Sequence, residues 1–401
     1  MSCQEQVYQW AEELQQALPQ LSRPQVRVLA LWSVGMVLAQ SCALTAVSGL
    51  LGAVLGQSAN TVRQRLREGC YAAVDKRGAC RQAVDVQTCF APLLRWVLGH
   101  WEGTQLVLAL DATSLGQRFT VLCVSVVYRG CAIPVAWRVV PGTTPHAWRV
   151  DWLRLLHQLQ PAVPRPYTVL VLADRGLWAP WLFRRIVRLG WHPLLRVTVR
   201  GHFRPAGWHR FVSFASLVPA CGTSFQGRGV AFKTPGRHLA CTLLGCWEAP
   251  HTDRWLLLSD LAPEGSTPRW YARRAWIEAG FKALKRGGFG WQRTRMTDPT
   301  RAARLWLAVA IATLWLLRVG GEAEQAAATV PPVLGPPVAH RTRRATRLRL
   351  VACFRLGWQC LLAAMLNHAS LPHGRFWPDP WPAPPPLLLP APAHSLQDTY
   401  P

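Results

Sequence analysis

Gln105-Leu-Val-Leu-Ala-Leu-Asp111 is an unbroken apolar run closed by an aspartate. Apolar residues without alternation are how a strand covered on both faces reads. A second run of the same kind, Tyr167-Thr-Val-Leu-Val-Leu-Ala-Asp174, lies further along and also ends on an aspartate. Between them, residues 119–128 and 133–140 are rich in β-branched and aromatic side chains and are separated by Arg129-Gly130, which predicts a hairpin. Residues 146–159 carry Trp148, Trp152, Leu155, Leu156 and Leu159 at helical spacing, a core-facing pattern. A helix over 178–189 and a strand over 192–199 follow.

The predicted order is strand, strand, strand, helix, strand, helix, strand, that of a ribonuclease H-like α/β core. In that fold the first and fourth strands are parallel neighbours. Asp111 and Asp174 then stand where two adjacent buried strands give way to polar sequence, and ligands of open α/β sheets bind in the crevice beyond strand ends. Either aspartate alone reads more readily as a turn or helix-cap residue, but two on the strands this fold makes neighbours are harder to dismiss.

The third acidic candidate lies in Tyr271-Ala-Arg-Arg-Ala-Trp-Ile-Glu-Ala-Gly-Phe-Lys-Ala-Leu-Lys285. On a continuous α-helix, Tyr271, Arg274, Glu278 and Lys285 share one arc of about 60°. Ile277, Phe281 and Leu284 flank it, so the polar arc borders the core. A solvated face laced with side-chain pairs would show the same residue types. A carboxylate among cations on a half-sheltered face also suits phosphate and metal chemistry.

The chain has 401 residues, room for two or three domains. Its 45 Lys plus Arg against 20 Asp plus Glu give a net charge of +25. That excess points to a polyanionic partner, nucleic acid before an anionic membrane. The 12 cysteines contain no Cys-x-x-Cys pair, which favours reduced, mostly buried thiols over zinc ligands. The first residues lack a basic segment followed by an apolar one, so no signal peptide is expected. The apolar run 305–317 is too short to span a bilayer and 29–55 is interrupted by polar residues, so a cytoplasmic, soluble chain without a membrane partner is expected.

Residues 1–95 read as a helical, DNA-binding domain. Pro24 after Ser22 suits a helix start. Gly56-Gln-Ser-Ala-Asn-Thr61 followed by the basic Val62-Arg-Gln-Arg-Leu-Arg67 resembles a helix-turn-helix, with Asn60, Arg63, Gln64 and Arg67 available to a groove. Many surface helices carry as many arginines. The core is assigned to 96–200 and 263–320, closed by an apolar helix over 302–317, and residues 201–262 read as a basic, aromatic, β-rich insertion between them. Residues 321–401 read as a linker from 322 to 338, a basic segment with five arginines between 340 and 349, a helix within 348–366 and a Pro-rich tail from 371 without packed structure.

Tyr, two residues, Arg, three residues, Glu, six residues, Lys matches without a gap the Tyr-Arg-Glu-Lys signature of one group of DDE transposases, those of bacterial insertion sequences (insertion-sequence-4 type). Leu-Ala-Leu-Asp111-Ala-Thr is similar to the first-Asp motif of these enzymes, and Ala-Asp174-Arg175-Gly176 resembles their second. Leu177 departs from the pattern, which often has an aromatic there. The resemblance spans about 105–317. It implies an enzyme that cuts transposon ends with water and joins the freed 3′-hydroxyl to target DNA. Asp111, Asp174 and Glu278 would form its metal-binding triad, and Tyr271, Arg274, Lys285 and Arg175 would contact DNA phosphates. Trp255 resembles the family tryptophan on which a flipped base stacks during hairpin formation; it reads equally as a core aromatic. The partners implied are the terminal inverted repeats and the target duplex, engaged by a homodimer in the synaptic complex.

Three carboxylates offer the hard oxygen ligands that Mg²⁺ or Mn²⁺ prefers. Two such ions about 4 Å apart activate the attacking oxygen and stabilise the leaving one. The histidines show no ligand spacing. A ribonuclease H-like structure-specific nuclease and a non-enzymatic DNA-binding regulator remain as alternatives. The charge balance yields the first prediction. DNA binding should weaken steeply as salt is raised, because Lys and Arg displace counterions from phosphates; a flat response in an anisotropy titration would remove the electrostatic account.

Overall fold

A computed structural model of the chain describes residues 1–77, 81–144, 148–249, 251–329 and 351–383. The chain is mixed α/β and divides into two compact units, residues 1–195 with 273–379, and residues 196–272 with 380–401.

The first unit opens with four helices, α1 (Cys3–Ala17), α2 (Arg23–Ala39), α3 (Leu44–Leu55) and α4 (Ala59–Gly69). Their ends are set by the residue types at them. Ser2 and Glu5 form a capping box on α1, and Ser22 with Gln25 does the same for α2, which has Pro24 in its first turn. Gly56, in the left-handed region, terminates α3 and Ser58 leads into α4, so the anticipated turn between two helices is present. After α5 (Phe90–Gly99) come the strands β1 (Gln105–Leu115), β2 (Phe119–Tyr128) and β3 (Cys131–Pro141). Arg129 and Gly130 both have positive φ, the geometry a tight hairpin turn needs. Then follow α6 (Arg149–Leu159), β4 (Thr168–Ala173), α7 (Pro180–Arg188) and β5 (His192–Arg196).

These five strands are ordered β3-β2-β1-β4-β5. β1, β4 and β5 run parallel, while β2 and β3 are antiparallel to their neighbours. The runs between Leu106 and Leu110 and between Val169 and Ala173 are buried throughout, which is why they lack alternation. One expectation needs correcting: β1 does not end at Asp111. Its parallel ladder with β4 stops at Leu110 opposite Ala173, but β1 stays paired with β2 as far as Leu115 opposite Phe119. A strand can leave one neighbour while keeping the other, and the sequence marks only the point where two-sided burial ceases.

The second unit is all-antiparallel. Its strands β6 (His202–Pro205), β7 (Val212–Ser213), β8 (Ser224–Ala231), β9 (Leu239–Cys246) and β10 (Trp255–Ser259) lie in the order β10-β9-β8-β6-β7, with the short helix α8 (Phe214–Leu217) after β7. Phe203 and Phe214 are fully buried there. Trp270 of this unit packs on Trp381, with ring centroids 5.1 Å apart.

The first unit is completed by α9 (Ala275–Leu284), α10 (Pro299–Thr329) and α11 (Cys353–Leu366). α10 is long and apolar enough to cross a bilayer, yet 89% of its most apolar window is buried inside the protein. It runs through the point where a linker was expected, because Glu322, Glu324 and Gln325 are held by Trp377, Arg129 and neighbouring chain. The Pro-rich tail is also packed where it is described. Phe376 is fully buried, its N–H donates to the His100 carbonyl at 2.7 Å, and its carbonyl accepts from Glu102 at 2.9 Å. Proline content predicted the lack of regular structure but not this docking, which rests on single aromatics such as Phe376 and Trp377. The expected arginine-rich segment 340–349 and the tail beyond 383 lie outside the described residues.

All eleven described cysteines are free thiols, eight of them buried. Burial pushes thiols such as Cys42, Cys70 and Cys123 up to about 12.

α10 and α11 cross at glycines. A Cβ on Gly357 would fall onto the Leu316 carbonyl oxygen, and one on Gly320 onto that of Cys353. Gly357→Ala should therefore cost about 1–3 kcal/mol of unfolding free energy by overpacking a closed helix contact. An unchanged denaturation midpoint would show that the crossing tolerates a methyl group.

Candidate functional site

The parallel ladder that ends at Leu110 and Ala173 sets Asp111 and Asp174 as the next residues on neighbouring strands. Asp111 is one-fifth exposed and its Oδ1 accepts the N–H of Ala112 at 2.8 Å. Asp174 is more open and turns the chain, its carbonyl accepting from Leu177 and Trp178. α9 brings the third carboxylate. Its apolar side, Ile277, Phe281 and Leu284, is buried, and the helix lies against β1, β2 and β3. Gly280 permits that approach, since a Cβ there would stand 2.9 Å from the Ala132 Cβ on β3.

One guanidinium joins all three acids. Arg274 Nη2 donates to Asp111 Oδ2 at 2.8 Å and lies 3.6 Å from Asp174 Oδ2, while its Nη1 bonds Glu278 Oε1. Arg274 is only 12% exposed, whereas Glu278 is 54% exposed, so the cluster opens to solvent on the Glu278 side. Burial raises the Asp111 carboxyl above its ordinary range; the Arg274 charge and the Ala112 N–H oppose that rise without cancelling it.

The signature stretch is not one α-helix. Residues Pro268–Arg274 form a 3-10 helix, the α-helix begins at Ala275, and Lys285 lies just past its end. The expected single arc of four side chains is therefore broken. Lys285 instead reaches β1, with Nζ donating to Thr113 Oγ1 at 2.7 Å and to the Ser114 carbonyl at 2.9 Å. Desolvation lowers its pKa. Thr113 closes the Leu-Ala-Leu-Asp111-Ala-Thr stretch but was given no role there, and Ser114 was not singled out.

Of the other anticipated residues, Tyr271 is buried and packs edge-on against Trp255, ring centroids 5.4 Å apart, within the second unit. Trp255 is half-buried and also meets His251 at 4.6 Å. Arg175, beside Asp174, is exposed. Arg63 and Arg67 are exposed on α4, where Arg67 rests over the Tyr71 ring at 5.4 Å and Gln64 is engaged by Glu68.

The donor chemistry suits a hard divalent cation, for three oxygen ligands, one within β1, one just past β4 and one on α9, already converge on one positive group. As they stand they are closed on Arg274, and among the described residues no group of three or more His, Cys, Asp or Glu side chains is spaced to hold a metal ion. A metal held by these acids has to take the place of the guanidinium among them.

Residues 142–315 match the family model described as the transposase DDE domain. The matched stretch includes Asp174, Arg274, Glu278 and Lys285, and Asp111 precedes it. No curated protein matches the chain. Among solved structures, the cryo-EM structure of a piggyBac transposase synaptic complex with hairpin DNA is similar at 12% identity and a TM-score of 0.39. That likeness covers 73% of this chain and 65% of the other.

The electrostatics give a titration test. A carboxyl whose folded pKa is raised holds its proton more tightly when folded, so its contribution to stability is greatest at low pH and is lost as pH rises from about its ordinary value of 3.8. Arg274 counters that rise, so Arg274→Gln should move the Asp111 titration further upward in carboxyl-carbon NMR. A midpoint that stays put or falls would remove Arg274 as the compensating charge.

Proposed function

We propose that this chain is a DDE transposase, a metal-dependent enzyme that cuts DNA at transposon ends and joins the freed 3′-hydroxyl to target DNA. One observation carries the reading: Asp111, Asp174 and Glu278, far apart in sequence, meet around a single guanidinium. The transposase DDE domain match over 142–315 supports it independently. Three acids in one cluster repel each other and need cations, and a protein that merely binds DNA gains nothing by turning them towards it. The strand order β3-β2-β1-β4-β5, with β1 and β4 parallel, is the basis for reading the first unit as a ribonuclease H-like core.

Asp111, Asp174 and Glu278 would hold the ions, Mg²⁺ or Mn²⁺. When bound, such ions supply an activated oxygen nucleophile and charge stabilisation at the leaving oxygen. The chain's own residues do the rest. Asp111 is fixed by the Ala112 N–H, so one of its oxygens keeps its direction while the other is exchanged between partners. Arg274, once released from the acids, is a fork suited to phosphate oxygens a few ångströms away. Lys285 pins the end of α9 to β1 and keeps a positive charge near the acids. Arg175 stands exposed beside Asp174 to meet the backbone of an incoming strand.

The finer assignments rest on the signature resemblance. They are an origin in a bacterial insertion sequence of the insertion-sequence-4 type, a cytoplasmic, DNA-associated location, a homodimer on paired ends, and a hairpin step in which Trp255 receives a flipped base. Arg63 and Arg67, exposed on α4 after a capped turn, are proposed to contact duplex DNA.

Glu278→Gln keeps shape and removes the charge. With Mg²⁺ and candidate terminal repeats, that variant should bind DNA as the wild type does and lose cleavage by at least two orders of magnitude, about 3 kcal/mol of barrier. Cleavage at the wild-type rate would refute the metal role of Glu278. For the wild type, joined products are expected; cuts without joining would mean a nuclease, and binding without any cut a regulator.

A further inference from the structure

A cleft of about 490 Å³ opens directly beside Asp111 and Asp174, within the size range of ligand sites. Four of the chain's 21 tryptophans line it: Trp148, Trp152, Trp178 and Trp181. Trp148, Trp178 and Trp181 are half-exposed, so their rings present surface to the cleft, whereas Trp152 is 1% exposed and lies deeper. The indole N–H of Trp152 is buried and meets no hydrogen-bond acceptor among the described residues. At the rim the exposed Arg149 guanidinium lies over the Trp181 ring at 5.6 Å.

Indole faces suit flat aromatic ligands, and a buried indole N–H without an acceptor suits one carrying a ring nitrogen or carbonyl oxygen. A guanidinium at the rim suits a phosphate attached to that ligand. Planar ring, acceptor atoms and phosphate together describe a nucleotide. We propose that this cleft receives the unpaired base of a DNA nucleotide adjacent to the one whose phosphate reaches the carboxylates, with Trp178 and Trp181 as stacking surfaces. This rests on the reading of the acidic cluster as the place where DNA is cut. The cleft belongs to the first unit, built on α6, the segment after Asp174 and the first turn of α7, and Trp255 is not among its lining residues. Four aromatic walls favour a base that has already left the duplex, because a base inside it has both faces covered by its stacked neighbours. Indole stacking reads no particular hydrogen-bond pattern, so the cleft takes any of the four bases.

The test uses the full chain and three labelled DNAs, without divalent metal so that no strand is cut. They are a blunt duplex, the same duplex with a short single-stranded overhang, and that overhang built from abasic nucleotides. The wild type should bind the normal overhang more tightly than the other two. Trp178→Ala and Trp181→Ala should each lower that affinity by about 5- to 140-fold while leaving the blunt duplex bound as before. Trp181→Phe should retain most of it. Overhangs at the 3′ and the 5′ end tell which strand supplies the base. Equal binding of normal and abasic overhangs by the wild type would overturn the proposal even if an alanine variant fails to fold, and so would alanine variants that keep the preference. Cleavage in Mg²⁺ is read separately. Cleavage without a base preference removes the cleft alone, and a base preference without cleavage of any DNA removes the enzyme reading and the place of the cleft in it.

Discussion

Three carboxylates that would repel one another are held together by one guanidinium, and the arrangement around them is organised to make that contact possible. Asp111 and Asp174 are neighbours because β1 and β4 are parallel and in register up to the residue before each. Glu278 comes within reach because α9 presses its apolar side onto the sheet and a glycine lets it come close. Arg274 is nearly buried and Asp111 only one-fifth exposed, so that pairing is less screened than a surface ion pair, whereas the contacts with the more open Asp174 and Glu278 are screened by solvent. Desolvating Asp111 nonetheless outweighs that attraction, leaving its carboxyl easier to protonate than an ordinary aspartate. The cluster is thus satisfied but not relaxed, a condition suited to exchanging its cation.

Much of this was legible in the chain. Two apolar runs without alternation identified the buried strands, and their first polar residues identified the aspartates, because two-sided burial and its abrupt end are one-dimensional signals. Ile277, Phe281 and Leu284 likewise located the buried side of α9. What was not legible depends on local energetics or on distant partners. Between Tyr271 and Glu278 no glycine or proline announces that the chain winds as a 3-10 helix up to Arg274 and as an α-helix only from Ala275, so the helical wheel placed Tyr271 and Lys285 on an arc they do not share. The attachment of Lys285 to Thr113 and Ser114 joins residues more than 170 positions apart and leaves no periodic trace.

The same contrast explains the tail and the tryptophans. Composition measures average tendency, and a Pro-rich segment averages as unstructured even when one phenylalanine is worth enough to dock it. Phe376 enters a ring cluster with Trp101 and Tyr128, and the backbone bonds at His100 and Glu102 fix its register. Trp148 and Trp152 were read as one core stripe from their spacing. Spacing does not report where the helix starts or how deep each ring lies: Trp148 precedes α6, and only Trp152, within it, is fully buried.

Charge balance fixes the last step. With 45 basic against 20 acidic residues, positive charge is in excess and acids are the scarcer partner. Of the few acids, Asp111, Asp174 and Glu278 share a single arginine, which leaves the cluster short of positive charge in a chain that has it in excess. Pairing each acid with its own arginine would have satisfied the cluster permanently and sealed it. Sharing one keeps the acids together while leaving Glu278 open to solvent and oxygen atoms available. Under the proposed function, that deficit is what would let the acids exchange the guanidinium for metal cations together with a phosphate.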